Sequence, residues 1–131
     1  MCAQNQKSIP DSSPASIRPI ELVTENGFSI VRVWEINHVS PPTEGNYHFK
    51  VRNAQDLERE ITVEINDDLV VQVTMRSRGR ILLYSSFWIY CAERHLAIHL
   101  WENDDYPPKD KLSVTLLDPD DCDLALRWET T

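Results

Sequence analysis

Residues 61–76 read ITVEINDDLVVQVTMR, and the periodicity assigned to them decides the fold. Ile61, Val63 and Ile65 alternate with Thr62 and Glu64. After the polar step at 66–68, Leu69, Val71, Val73 and Met75 alternate with Val70, Gln72, Thr74 and Arg76. A period of two sends successive side chains to opposite faces of an extended chain, whereas an amphipathic helix repeats at i, i+3 and i+4. Read this way, the stretch is two half-buried strands joined by a polar turn.

The same alternation continues outward. It covers Tyr47, Phe49 and Val51 against His48, Lys50 and Arg52; Leu96, Ile98 and Leu100 against His95, Ala97 and His99; and Leu112, Val114 and Leu116 against Ser113 and Thr115. Two segments, 28–36 (FSIVRVWEI) and 80–91 (RILLYSSFWIYC), carry bulky residues on both faces, as central strands covered on each side do. The expected strands are therefore 28–36, 46–53, 59–65, 69–76, 80–91, 95–102, 111–117 and 123–129, with 20–24 as a possible ninth. The spacing predicts an all-β chain, an antiparallel β-sandwich of about eight strands. A closed barrel is the alternative, opposed by the presence of only three glycines, Gly27, Gly45 and Gly79, each at a predicted turn.

With 131 residues, 41% hydrophobic and 26% charged, the chain has the composition of one globular domain. Residues 1–19, with Pro10, Pro14, Pro19 and almost nothing large and apolar, are expected to be a flexible tail preceding a single domain over 20–131. No run reaches the roughly 18 apolar residues of a spanning helix, so integral membrane association is not expected. The first residues lack the basic and apolar regions of a secretory signal, and Cys2, Cys91 and Cys122 form neither a disulfide framework nor a zinc pattern. A reducing cytoplasm is the expected compartment. The net charge of −8 disfavours general binding of nucleic acid. Between Trp101 and Asp123, eight acids stand against Lys109 and Lys111, a local −6 that leaves a basic protein or a cation as a partner.

The stretch NYHFKVRNAQDLEREITVEINDDLVVQV, followed by RGRILLYSSFWIY, resembles the strand succession of immunoglobulin-like bacterial domains: Tyr47, Phe49, Val51 and Asn53 form an aromatic-x-aromatic-x-Val-x-Asn strand that leads through a polar turn into an alternating one. That resemblance implies a binding or packing role without chemistry. Residues 95–117, HLAIHLWENDDYPPKDKLSVTLL, are similar to the third calcium loop of the calcium- and phospholipid-binding C-two-type domain. By that similarity Glu102, Asp104 and Asp110 would be oxygen ligands for a hard cation. The matching first loop here, NHVSPPTEGNY, carries a single acid, Glu44, and Lys111 stands where the family has glycine after Asp110.

Among chemistry-bearing residues, Arg76, Arg78 and Arg80 are read as a hairpin tip, RSRGR, with alternate side chains about 7 Å apart on one face and able to clamp a carboxylate or phosphate. Cross-strand pairing with Glu64 or Asp67 is the simpler role for them. His95 and His99 would stand about 13 Å apart on a strand, too far to share one metal. Cys91 and His95 flank a predicted turn, but no oxyanion-stabilising element is nearby, and a buried structural thiol is the favoured reading. The cluster at 118–123, DPDDCD, lacks calcium-loop spacing, and no hydrolase, P-loop, dinucleotide or zinc-protease motif occurs. In the run 84–90, Tyr84, Trp88 and Tyr90 would share one strand face, either covered within the chain or open to a partner.

These readings converge on a non-catalytic β-sandwich binding or accessory module, without metal or cofactor, that contacts another protein through Arg76, Arg78 and Arg80 or through Tyr84, Trp88 and Tyr90, with oligomerisation left open. The alternative is calcium-dependent phospholipid or ligand binding by the acidic loop 102–110, with Glu102, Asp104, Asp105 and Asp110 as ligands.

Overall fold

The computed structural model describes residues 20–128, so the tail expected over 1–19 lies outside the described residues. In the deciding stretch, the part before Asn66 is a strand and the part after it is a helix. Strand Glu58–Ile65 buries Ile61, Val63 and Ile65, as the alternation requires. Helix Asp67–Arg76 begins at Asn66, whose side chain accepts the Leu69 N–H at 3.1 Å, with Asp67 and Asp68 in the first turn and Arg76 in the last. Each of these features satisfies an orphan helix N–H or complements the helix dipole. The helix buries Leu69, Val70 and Val73, an i, i+1, i+4 stripe, and leaves Val71 55% and Met75 73% exposed. The run of apolar residues fits either period, and the Asn-Asp-Asp cap selects the helix.

The same correction applies to three further predicted strands. Residues 86–91 and 95–102 belong to one long helix, Ser86–Asn103, preceded by a turn over 80–85 and started by Ser85, whose hydroxyl accepts the Phe87 N–H at 3.1 Å. Its fully buried stripe, Trp88, Ala92, Leu96 and Leu100, repeats every four residues. In place of a strand at 123–129, helix Pro119–Arg127 starts on a capping box: the side chains of Asp118 and Asp121 accept each other's backbone N–H, with Pro119 in the first turn. Segment 28–36 is a short strand followed by a single helical turn.

The molecule is thus mixed α/β and not an all-β sandwich of eight strands, the architecture that both family resemblances imply. In chain order the elements are β1 (Glu21–Val23), β2 (Ser29–Arg32), α1 (Val33–Ile36), β3 (Asn46–Arg52), β4 (Glu58–Ile65), α2 (Asp67–Arg76), α3 (Ser86–Asn103), a 3-10 turn at Pro108–Asp110, β5 (Lys111–Val114) and α4 (Pro119–Arg127). They form one five-stranded sheet in the order β1-β2-β3-β4-β5. The first four strands are an antiparallel meander. β5 lies parallel to β4, with Val63 opposite Leu112 and Ile65 opposite Val114, as the crossover through α2 and α3 permits.

One face of the sheet carries Ile30, Tyr47, Phe49, Val51, Ile61 and Val63, all essentially inaccessible, and meets the buried stripe of α3. Each such side chain contributes about 1.5–3 kcal/mol by leaving water. The other face shows His48, Lys50, Thr62 and Glu64 to solvent, which is why β3 and β4 alternate so cleanly. Helices stand where the second sheet was expected. The β1–β2 hairpin turns at Gly27, whose φ of +93° favours glycine and where a Cβ would come within 2.9 Å of Ala54 Cβ. Among the described residues no helix is long and apolar enough to cross a membrane.

Candidate functional site

Helix α3 carries residues of most candidate clusters, so the positions of its side chains decide what those clusters can do. The expected aromatic strip is not one surface: Trp88 is fully buried and stacked edge-on to Phe87, whereas Tyr84, before the helix, is 65% exposed and Tyr90 is 48% exposed. A strand would have aligned the three, but on a helix Trp88 and Tyr90 point about 200° apart. The arginines also separate. Arg76 ends α2, Arg78 sits in a left-handed turn (φ 55°), and Arg80 reaches across to α4, donating to the carbonyl of Ala125 at 2.8 Å and to that of Trp128. Arg80 thus caps carbonyls at the negative end of α4, a structural task. Arg76 and Arg80 line a shallow 230 Å³ cleft with Cys122 and Leu126.

The acidic loop disperses. Glu102 lies on the last turn of α3. Asp104 is that helix's left-handed C-cap and accepts from Asn26 Nδ2 at 3.0 Å. Asp105 accepts the Tyr106 N–H, and Asp110 pairs with Arg59 at 3.3 Å. Among the described residues, the ligand atoms that do gather within 4.8 Å of one another are those of His95, Asp118 and Asp121. Their lone pairs are already engaged. Arg94 Nη1 lies 2.7 Å and 2.9 Å from the Asp118 oxygens and 2.9 Å from Asp121, and Arg94 Nη2 holds Asp120 at 3.0 Å. His95 Nε2 lies 2.6 Å from Asp121, whose side chain is fully buried. A cation entering this cluster would meet a guanidinium first. The arrangement is a polar lock between α3 and the N-terminus of α4.

Cys91 lies one turn before His95 on α3 and is fully buried. Burial, followed by the charge of Asp121, pushes the thiol well above its ordinary range. A fully buried thiol held protonated is a poor nucleophile, and His95 spends its ring nitrogen on Asp121 and not on sulfur. Asp121 itself is held below the usual carboxylate range: burial alone would raise it, but the His95 hydrogen bond, the Asp118 N–H and the charges of His95 and Arg94 prevail.

The feature that sequence reasoning missed is a groove of about 490 Å³ between β1 and α3. Its apolar lining comes from Leu22 and Val23 of β1, Tyr90, Ile98 and Trp101 of α3, and Leu124 of α4. Val23 is 62% and Trp101 51% exposed. At its foot lies a buried ion pair: Arg32 Nε and Nη2 bond the two oxygens of Glu93 at 3.1 Å and 3.0 Å, while Nη1 holds Glu35 at 3.3 Å and the guanidinium lies 5.6 Å from the Tyr90 ring centre. The charged residues of its lining are Glu25, Glu93 and Arg94, of which Glu93 is paired with Arg32, and Arg94 with Asp118, Asp120 and Asp121. The one sequence signal for this surface was Trp101 beside a run of acids; β1 and α3 are too far apart in the chain for their meeting to be read.

No protein-family model, no curated protein and no solved structure matches the chain.

Proposed function

We propose that the protein is a non-catalytic accessory module that binds a segment of another, basic protein, and that the binding surface is the groove between β1 and α3. The observation that carries this reading is the gathering of Leu22, Val23, Ile98 and Trp101 in one open apolar groove on a chain of net charge −8. An apolar surface on a chain whose excess charge is of one sign is how a recognition site combines burial with electrostatic selection. Of the residues expected to meet a partner, Tyr90 lines this groove; Arg80 is committed to α4 and Trp88 to the core. The free thiols of Cys91 and Cys122 support a cytoplasmic setting.

A photo-crosslinking side chain placed at Ile98 in cells, with Lys50 on the open sheet face as control position, tests the reading. The expected result is a protein adduct from position 98 that disappears when Leu22→Asp is added and persists with Arg76→Glu and Arg78→Glu. Adducts lost only on the arginine changes, or formed only with a second copy of the chain, would overturn it.

A further inference from the structure

The groove has the dimensions of an absent helix. Its α3 wall is Tyr90, Arg94, Ala97, Ile98 and Trp101, the i, i+4, i+7, i+8, i+11 face of a helix, which spans three turns or about 16 Å. Its β1 wall points the same way. Leu22 is paired with Ile30, and directly opposed residues share a face of the sheet. Ile30 is fully buried while Leu22 is 37% exposed, and the difference is cover: the main helix contacts are those of α3 with β4 and β5 and of α1 with β2 and β3, and β1 has none of comparable extent. A helix laid beside α3 at the usual axis separation of about 8–10 Å would occupy this gap.

We propose that the occupant is a basic amphipathic helix of about three turns, supplied by the partner protein, which completes the helical layer over β1. This rests on the groove reading above. Charge complementarity sets the chemistry: of the charged residues lining the groove, Glu25 makes no ion pair among the described residues, Glu93 is neutralised by Arg32, and Arg94 is outnumbered by Asp118, Asp120 and Asp121, which leaves an acidic surround on a chain of net charge −8. Apolar residues at i, i+3, i+4 and i+7 of the incoming helix would meet Leu22, Ile98 and Trp101, with lysines or arginines flanking them. An extended segment added to the sheet edge fits less well, because β1 has three residues and offers few ladder bonds.

Isotope-labelled full-length chain is titrated with three synthetic peptides of about 18 residues, long enough to hold a helix. One has leucine and lysine in helical amphipathic order, one the same order with glutamate for lysine, and one the same leucines and lysines in strict alternation. The expected result is that the first peptide shifts the amides of Leu22, Ile98 and Trp101, that Ile98→Asp weakens it at least tenfold, and that the other two bind at least tenfold less tightly. Trp101→Ala, at a half-exposed position, serves if Ile98→Asp does not fold. Equal or tighter binding of the alternating peptide in the groove overturns the helix while leaving the groove reading in place. Shifts confined to other surfaces, or no binding by any peptide, overturn the helix and leave the groove to be judged by the crosslinks at position 98.

Discussion

Asp121 joins three parts of the molecule at once: it closes the capping box of α4, accepts His95 of α3 and shares Arg94 with Asp118. Because its folded carboxyl is held below the ordinary value of 3.8, it stabilises the fold above that pH and the contribution fades as pH falls through the lowered value. Asp121→Asn should cost about 1–3 kcal/mol near neutrality. Calorimetric melting temperatures of the two proteins should converge only as the pH falls through that lowered value, where the folded parent's carboxyl takes up its proton; a gap independent of pH would refute the assignment. Arg32 presents a harsher case. With Glu93 removed it becomes a buried charge bonded only to Glu35, so Glu93→Ala should cost about 3–5 kcal/mol in urea unfolding, and adding Arg32→Met should recover much of it. Neither partner stood out in the sequence, since they are 61 residues apart.

At the scale of elements, the alternation was decisive where one face of a strand meets water and misleading where it does not. β3 and β4 were legible because His48, Lys50, Thr62 and Glu64 remain outside the core. In α2 the alternating Leu69, Val71, Val73 and Met75 are β-branched or flexible residues that suit either period, and the discriminating signal was the cap at Asn66. In α3 the four-residue repeat from Trp88 to Leu100 was present beside the two-residue one. In α4 the Asp-Pro-Asp-Asp start was a helix signature, weighed in the sequence only for its lack of calcium-loop spacing. Paired substitutions separate the periods. Val71→Lys should change stability by less than about 0.5 kcal/mol while Val70→Lys should unfold the protein or nearly so, whereas a strand with Val71 turned inward requires the reverse.

For the whole molecule, the fold leaves Asp104, Asp105 and Asp110 tied to separate partners, Asn26, the Tyr106 N–H and Arg59, with Glu102 on the last turn of α3. Millimolar calcium should therefore leave the melting temperature unchanged, and a rise of several degrees would restore a calcium-dependent role. The groove could not have been read from the chain, because it exists only after β1 and α3 are brought together.

The crossover between β4 and β5 also governs how the protein is made. Tyr47, Phe49, Ile61 and Val63 leave the ribosome well before the helix that shields them, whose last buried residue is Leu100. At about 5–20 residues per second the greasy side of the meander stays bare for seconds. Nascent chains halted after Ser85 should bind an apolar dye and recruit chaperones, and chains halted beyond Asn103 should shed both.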